Sequence, residues 1–254
     1  MSEILRAEGL EKTFVKKGDR VCAVAGMDLS LAKGEFLSIQ GPSGSGKTTL
    51  LNLLGCLDRP TGGRLFIDGI DVSRMSENEV SALRARKIGF VFQSFNLIPI
   101  LSAAENVELP MIATGTPKAE RKRRAAVLLE RVGLAGRIRH RPDELSSGEQ
   151  QRVAIARAMA NSPALILADE PTGNLDTKNG EEIMGILRIL NKDLGTTIVM
   201  VTHDDRMARL ANMRLYLKDG RIERMEDAAA APVILTAMAQ ARGDGIAAGE
   251  GMDA

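Results

Sequence analysis

The feature that most constrains this chain is a glycine-rich loop near residue 45. Residues 41–48 read Gly-Pro-Ser-Gly-Ser-Gly-Lys-Thr and fit the pattern G-x-x-x-x-G-K-[ST]. Glycines let backbone N–H groups curl around phosphates without Cβ clashes, and a helix starting at the lysine adds its positive dipole end. A β-type run at 35–40 precedes the loop, and an apolar helical run at 48–57 follows it. The loop therefore predicts a strand–loop–helix unit that binds a nucleotide.

Each residue of this loop, and the threonine after it, is a candidate for cofactor binding. The candidates are Gly41, Pro42, Ser43, Gly44, Ser45, Gly46, Lys47, Thr48 and Thr49. Lys47 supplies a mobile positive charge to the phosphates, and Thr48 offers a hydroxyl to Mg²⁺. The expected cofactors are ATP and Mg²⁺. A chance match should occur in on the order of one in a hundred chains of this length, so the flanking strand and helix strengthen the prediction.

Short β-type runs alternate with helical segments along most of the chain, which predicts an α/β fold with a mainly parallel sheet. The predicted strands are 4–7, 21–24, 27–31, 35–40, 64–67, 88–92, 164–168, 196–201, 213–217 and 221–225. Ser76-x-x-Glu79 and Ser102-x-x-Glu105 are capping-box signatures, and Thr116 before Pro117 predicts another helix N-terminus. Gly133 and Gly195 are predicted to end helices. Asp219-Gly220 predicts a hairpin.

Composition restricts the classes of function. The net charge of +1 gives no electrostatic reason to expect a nucleic-acid partner. Cys22 and Cys56 form no C-x-x-C pair, which favours a reduced cytosolic protein without a zinc or redox motif. The N-terminus does not resemble a secretory signal, and no stretch reaches the ~20 apolar residues of a spanning helix. Residues 227–254 are rich in Ala, Gly and Asp and predict a mostly disordered tail, with one short helix possible at 232–240.

Two adjacent acids end the apolar run at 165–168. Asp169 is a candidate ligand of Mg²⁺, and Glu170 is a candidate to orient and polarise the water that attacks the γ-phosphate. Burying two carboxylates side by side costs free energy, so the arrangement indicates a bound cation or a catalytic role. An ordinary strand end with solvated acids is the alternative, and the upstream phosphate loop favours the functional interpretation.

Residues 145–152 read Leu-Ser-Ser-Gly-Glu-Gln-Gln-Arg at a helix start, and here the chain closely resembles the ATP-binding-cassette (ABC) ATPases. Their signature is L-S-G-G-Q, from which this chain departs at Ser147 and Glu149. The resemblance implies that residues 146–149, namely Ser146, Ser147, Gly148 and Glu149, bind the γ-phosphate held by another copy in an ATP-dependent head-to-tail homodimer. Ser147 adds a Cβ and Glu149 a negative charge, although Ser146-x-x-Glu149 is also a capping box. An ordinary capped helix start remains the alternative.

The resemblance implies a P-loop NTPase cassette at 1–226 with a RecA-like mainly parallel core sheet. It also implies an N-terminal antiparallel β subdomain and a helical subdomain inserted at about 94–160. Four further residues match family positions. Gln93 corresponds to a catalytic and Mg²⁺-contacting glutamine, His203 to a switch histidine at the γ-phosphate, and Asp176 to the inter-subunit loop. Phe14 corresponds to the aromatic that stacks on adenine, with a core phenylalanine as the equal alternative.

Residues 55–63, 92–97 and 169–176 are similar to the branch of lipoprotein-releasing, macrolide-exporting and cell-division ATPases. This resemblance implies integral membrane permease subunits as partners and a peripheral location on the cytoplasmic side of the bacterial inner plasma membrane. A soluble ABC ATPase, such as one for iron–sulfur assembly, is the alternative function. Residues 98–101 are either a docking segment for the membrane partner or local core packing. The basic residues at 118–124 are expected to form a solvated face, with anionic headgroups as a second option.

Overall fold

The computed structural model describes residues 2–16 and 19–227. The helices are α1 Lys47–Leu54, α2 Glu77–Lys87, α3 Ala103–Ala113, α4 Lys118–Arg131, α5 Ser147–Ala158, α6 Thr177–Leu194 and α7 Asp205–Ala208. The strands are β1 Glu3–Lys16, β2 Asp19–Ala32, β3 Phe36–Gln40, β4 Gly62–Ile67, β5 Ile70–Asp71, β6 Ile88–Phe92, β7 Leu165–Asp169, β8 Thr197–Val201, β9 Met213–Lys218 and β10 Arg221–Asp227. Asp227 thus ends a strand, and the predicted tail at 228–254 lies outside the described residues.

A six-stranded sheet in the order β10-β9-β3-β8-β7-β6 forms the centre of the fold. Its neighbouring strands are parallel except for the β9–β10 hairpin. All five residues of both β3 and β8 are buried, as expected for parallel strands covered on both faces. The predicted mainly parallel sheet is confirmed. Because parallel strands share a direction, the carboxyl ends of β3, β6, β7 and β8 meet at one edge.

A second sheet, in the order β2-β1-β4-β5, is antiparallel throughout. The sequence predicted its N-terminal part as three short strands, but β1 and β2 are each 14 residues long. Register shifts between Ala7 and Lys12 disrupt the alternation that the prediction relied on. Gly9 and Gly26 have positive φ values of 53° and 67°, which lets the long strands bend without ending.

Helices α3, α4 and α5 pack around their own apolar cluster, which includes Val107, Leu129 and Val153. The capping boxes at Ser76 and Ser102 form as predicted. The predicted N-cap at Thr116 is wrong by one residue, because Pro117 is extended with ψ 145° and α4 begins at Lys118. Pro117 lacks a side-chain hydrogen-bonding group, so this helix starts without a side-chain cap.

The helices that border the central sheet follow their sequence signals with small shifts. The helix predicted at 48–57 spans only 47–54, because Cys56 turns the chain with φ 54° after Gly55. In α6, Ile183, Met184 and Leu187 are buried at helical spacing, and Gly195 ends the helix with φ 64°. Burying each such side chain contributes roughly 1.5–3 kcal/mol, so the apolar face of α6 holds it against the sheet.

Candidate functional site: a nucleotide pocket at the carboxyl edge of the sheet

The glycine-rich loop runs from the end of β3 into α1. Gly46 is the N-cap of α1 in a left-handed conformation and provides no side-chain hydrogen bond to the first turn. The first backbone N–H groups of α1 are therefore available to an anion. A Cβ on Gly46 would lie 2.1 Å from the Ala23 carbonyl oxygen, and one on Gly41 would lie 2.1 Å from that of Leu217. The close approach of these backbones requires glycine at both positions.

The Lys47 ammonium is held inside this loop. Its Nζ donates to the carbonyl oxygens of Gly41 and Pro42, each at 2.8 Å. An ammonium has three donors, so this arrangement fixes the position of the charge and keeps one donor for a phosphate oxygen. The lysine thus lies in the loop as the sequence predicted.

Asp169 ends β7, and Glu170 follows at the same edge of the sheet. Burial raises the pKa of the Asp169 carboxyl, the neighbouring Glu170 raises it further, and Lys47 opposes both effects. Glu170 has φ 46°, an uncommon backbone conformation for a residue with a side chain. Its backbone N–H donates to the Val201 carbonyl oxygen at 3.0 Å. Such strain is typical of functional sites, where surrounding structure enforces it.

His203 follows β8 and contacts Glu170 directly. Its Nδ1 lies 2.9 Å from Glu170 Oε2, and its backbone N–H donates to the same oxygen at 3.3 Å. The imidazole is 72% exposed, whereas the glutamate side chain is 16% exposed. The histidine therefore orients the carboxylate while remaining able to reach a molecule in the pocket.

Gln93 follows β6 and is paired with the loop after Glu170. Its Nε2 donates to Asn174 Oδ1 at 3.3 Å, and Asn174 Nδ2 donates back to the Gln93 carbonyl oxygen at 3.0 Å. A Cβ on Gly173 would lie 2.8 Å from Gln93 Nε2, so a side chain there would have to displace the Gln93 amide from its position between the two loops. The role of Asn174 was missed, since no local pattern shows that these loops meet.

These elements surround one cavity of about 650 Å³ at the carboxyl edge of the sheet. The predicted residues that line it are Gly41, Ser43, Gly44, Gly46, Lys47, Thr48, Thr49, Gln93, Asp169, Glu170 and His203. Ala23 and Val201 also line it and were not predicted. The remaining predicted residues do not line it: Phe14, Pro42, Ser45, Ser146, Ser147, Gly148, Glu149 and Asp176.

The signature segment begins α5 away from this cavity. Ser146 is the N-cap, and the predicted capping box forms: Ser146 Oγ accepts from the Glu149 N–H at 3.3 Å, and Glu149 Oε2 accepts from the Ser146 N–H at 2.8 Å. Hydrogen bonding from that Ser146 N–H is the main reason that the pKa of Glu149 is lowered. Gly148 is buried, and a Cβ there would lie 2.4 Å from Asn179 Oδ1. A side chain at this position would have to displace the Asn179 amide, so the glycine lets α5 pack closely against the start of α6.

Two other candidates have clear positions. Asp176 is the N-cap of α6, where its carboxylate accepts from the Asn179 N–H at 2.8 Å. Phe14 is 43% exposed, so it is not a core residue, and the Lys12 ammonium lies 5.1 Å from its ring centre.

Arg121 is half-buried and pairs with Glu108, so the predicted solvated basic face at 118–124 is wrong at that position.

The segment at 98–101 lies largely on the surface. Ile98 and Ile100 are 39% and 77% exposed, which excludes core packing for these two side chains. Buried Asn106 holds the segment in place: its Nδ2 donates to the carbonyl oxygens of Ile98 and Leu101, and its Oδ1 accepts from the Ile98 N–H. The exposed apolar side chains are thus presented by a fixed backbone.

The two cysteines differ in their surroundings. Cys22 is exposed on β2, next to Ala23 of the cavity wall. Cys56 is buried, and burial raises the pKa of its thiol to about 11. Across residues 2–16 and 19–227, no helix is long and apolar enough to cross a membrane.

The fold and the cavity together define a class, the phosphate-loop ATPases. A glycine loop at a helix start faces two carboxylates at the carboxyl edge of a parallel sheet. The sequence profile of the ABC transporter family matches residues 24–173. The chain belongs to this family, as an ATP-binding and ATP-hydrolysing subunit. The predicted cassette fold is confirmed. The alternative function, a soluble ABC ATPase such as one for iron–sulfur assembly, is not favoured.

Known proteins support this assignment. The chain is 52% identical over 222 residues to the lipoprotein-releasing system ATP-binding protein LolD of Aquifex aeolicus, covering 87% of this chain and 97% of LolD. It is 50% identical over 219 residues to the macrolide export ATP-binding/permease protein MacB of Brucella melitensis, covering 86% of this chain but only 34% of MacB. The predicted branch is thereby confirmed.

A solved structure shows the same fold in a dimer. It is the ATP-binding cassette MJ0796, from Methanocaldococcus jannaschii, in a post-hydrolysis state bound to ADP and Pi. The TM-score is 0.82 at 46% identity, and the alignment covers 89% of this chain and 99% of that chain.

Proposed function

We propose that two copies of this chain close head to tail around two ATP molecules and that this motion drives integral membrane permease subunits. One observation carries the two-copy proposal: Ser146 and Gly148 begin α5 outside the cavity that holds the phosphate loop of the same chain. A helix start is suited to bind phosphate, so its natural partner is the nucleotide of a second copy. The dimeric state of MJ0796 supports this arrangement.

In this proposal, the glycine loop and Lys47 bind the β- and γ-phosphates. Phe14, exposed on β1, stacks on adenine. The imidazole of His203, which lines the cavity, contacts the γ-phosphate. From the second copy, the Ser146 hydroxyl and the Gly148 N–H contact the same phosphate, and Asp176 belongs to the adjoining inter-subunit loop. Ser147 and Glu149 flank these donors.

The residues at the cavity also fit Mg²⁺. Thr48, Gln93 and Asp169 offer hydroxyl, amide and carboxylate oxygens, the ligands that Mg²⁺ prefers together with phosphate oxygens. Burial and, after it, the neighbouring Glu170 carboxylate raise the pKa of Asp169, and a cation bound there would relieve the repulsion between the two acids. When bound, Mg²⁺ would neutralise negative charge on the phosphates.

Glu170 is the proposed general base. Its carboxylate is oriented by His203 and held at a strained backbone position, so it can accept a proton from the water that attacks the γ-phosphate. Hydrolysis then removes the γ-phosphate that links the two copies, and the dimer opens.

Glu170→Gln tests this proposal. The amide keeps the shape of the side chain but cannot accept the proton, so turnover should fall about 10²- to 10⁴-fold while ATP binding persists. Gel filtration with ATP and Mg²⁺ should show a dimer for Glu170→Gln and a monomer for the wild type after hydrolysis.

Glu130→Gln, an exposed glutamate on α4, is the matched control and should keep wild-type turnover. Wild-type turnover by Glu170→Gln would show that Glu170 is not the general base. A variant that binds ATP without dimerising would refute the two-copy site.

A membrane partner has a suitable groove to occupy. A cavity of about 430 Å³ with a mainly apolar lining lies between the ends of α1, α3 and α5, and Leu57, Phe90, Phe92 and Ala113 line it. Asn96 lines the same groove and precedes the exposed segment at 98–101. We assign both surfaces to a short amphipathic helix of a permease subunit. The helical subdomain at about 94–160 presents the segment at 98–101 and shares the groove with β6. The chain would then act as a peripheral subunit on the cytoplasmic side of the inner plasma membrane.

Ala113→Glu tests the groove, because it places a charge in an apolar surface. We expect it to reduce recovery of integral membrane proteins with the tagged chain from detergent-solubilised membranes by about tenfold, with ATP hydrolysis by the isolated chain unchanged. Ile189→Glu, an exposed apolar residue of α6 that is 57% exposed, is the control. Equal recovery with both variants would exclude this groove as the docking site.

A further inference from the structure

Among residues 2–16 and 19–227, three α-helices begin with the same serine–glutamate capping box, which allows the signature helix to be compared with two ordinary helix starts. In each, the hydroxyl oxygen of the N-cap serine accepts from the backbone N–H of a glutamate three residues later. The pairs are Ser76 with Glu79, Ser102 with Glu105, and Ser146 with Glu149. In all three the glutamate accepts from the serine N–H at 2.8 or 2.9 Å. The backbone geometry of the three starts is therefore the same.

The side-chain hydrogen bonds differ at the third start. The Ser76 and Ser102 hydroxyls donate to the glutamates at 2.7 and 2.8 Å. The Ser146 hydroxyl makes no hydrogen bond of this length to Glu149, although its proximity still contributes to lowering the pKa of that carboxyl. Glu149 instead uses its second oxygen, Oε1, to accept from Arg137 Nε at 3.1 Å. Within the described residues, Glu79 and Glu105 have no arginine or lysine within ion-pair distance.

Two contacts, with Glu149 and with His140, hold the Arg137 side chain in position. Arg137 ends the 3₁₀ turn Ala135–Arg137, and its Nη1 lies 3.2 Å from His140 Nε2. Because arginine can only donate, His140 Nε2 is the acceptor in this contact. The guanidinium is thus held between His140 and Glu149, beside the start of α5.

We propose that Arg137 is a positioning residue of the phosphate-capping helix start. It neutralises Glu149, which would otherwise repel a triphosphate, and it holds the second carboxylate oxygen away from the Ser146 hydroxyl while the bond to the Ser146 N–H persists, so that the hydroxyl can donate to the γ-phosphate. The inference rests on the proposed two-copy site. It explains how this chain tolerates an acid at a position where the family signature has glutamine.

The test measures the ATP concentration that gives half-maximal dimerisation in the Glu170→Gln background, by analytical ultracentrifugation. Adding Arg137→Gln should raise this concentration about tenfold, since an unpaired carboxylate then faces the phosphates. Adding Glu149→Gln to that variant should restore it to within about twofold, because glutamine keeps the capping box without the charge. Glu149→Gln with Arg137 intact should dimerise at least as readily as the parent.

Glu79→Gln and Arg123→Gln are matched controls, a capping-box glutamate and an arginine in an exposed ion pair, and neither should change dimerisation. An unchanged Arg137→Gln variant, or one that Glu149→Gln fails to rescue while its thermal midpoint stays normal, would overturn the inference. If Arg137→Gln folds poorly, the double variant Arg137→Glu with Glu149→Arg decides the question instead. Weak dimerisation by this charge-exchanged variant overturns the inference, and dimerisation like that of the parent supports it. If the Glu170→Gln parent itself does not dimerise, the two-copy proposal fails instead.

Discussion

At the scale of single residues, this chain is constrained by the space around a few backbone positions. Gly148 is the clearest case, because it is buried at the start of α5 against Asn179. The sequence motif suggests that this glycine serves the phosphate. The structure gives it a second role that exists before any nucleotide binds.

Gly148→Ala should destabilise the nucleotide-free chain by about 1–3 kcal/mol, because the new methyl group would overlap the Asn179 side chain. Gly185→Ala provides the opposite case: this glycine is exposed in the middle of α6, with open space where a Cβ would lie. Alanine there should stabilise the chain by about 0.5–1 kcal/mol. Urea unfolding of both variants measures the difference, and equal stabilities would contradict this role for Gly148.

Residue-scale features were predictable where they depend on neighbours in the chain. The capping box of Glu149, the phosphate loop and the two acids at the end of β7 all followed from short patterns. The Asn174 amide that meets Gln93 did not, since the two residues are far apart in sequence. Arg137 was missed for a similar reason, because only the folded 3₁₀ turn brings it to Glu149.

At the scale of elements, α5 joins several loops of the site. Buried Gln151 donates from its Nε2 to the Pro171 carbonyl oxygen at 2.6 Å, just after Glu170. Near the other end of the helix, Arg157 donates to the carbonyl oxygens of Phe95, at 2.8 Å, and Asn96. Phe95 and Asn96 both have positive φ values, 59° and 49°. A largely buried arginine thus stabilises a strained turn just after Gln93.

Replacing Arg157 with methionine should leave those two carbonyl groups without their charged donor. We expect a loss of about 2 kcal/mol in the free energy of unfolding, within the range for hydrogen bonds to charged groups. Arg123→Met removes an exposed arginine of α4 and should change stability by less than about 0.5 kcal/mol. Guanidinium titrations compare the two, and an unaltered midpoint for Arg157→Met would show that the turn forms without the arginine.

The helices and strands themselves were largely predictable, because periodicity, caps and glycines act locally. The exceptions have local causes as well. β1 and β2 were predicted as fragments because their bulges break the alternation of apolar residues. The start of α4 was misplaced because Pro117 occupies the N-cap itself.

At the scale of the whole molecule, the central sheet determines which loops meet. Strand order β3-β8-β7-β6 brings the phosphate loop, His203, Glu170 and Gln93 to one edge, although they are separated along the chain. Local patterns predict a parallel sheet but do not give this order, which depends on how the helices cross between strands. One chain nevertheless presents its phosphate loop and its signature helix as separate surfaces.

Two inactive variants should therefore restore each other when mixed. Lys47→Ala damages the phosphate loop, and Ser146→Asp keeps a good N-cap while placing a negative charge against the phosphate. In a head-to-tail dimer of one copy of each, one site combines an intact loop with an intact helix start. Random pairing should give about a quarter of wild-type ATP hydrolysis, since half of the dimers are mixed and each has one of two sites. A mixture as inactive as its components would contradict the arrangement.

The contrast between the two cysteines gives the molecule a built-in labelling position. The Cys56 thiol is buried and, with a pKa of about 11, stays protonated and unreactive at neutral pH, whereas Cys22 is open to solvent beside the wall of the nucleotide cavity. A maleimide fluorophore would attach at Cys22 alone in the native protein. Its emission would report on nucleotide entry in real time, without any engineered substitution.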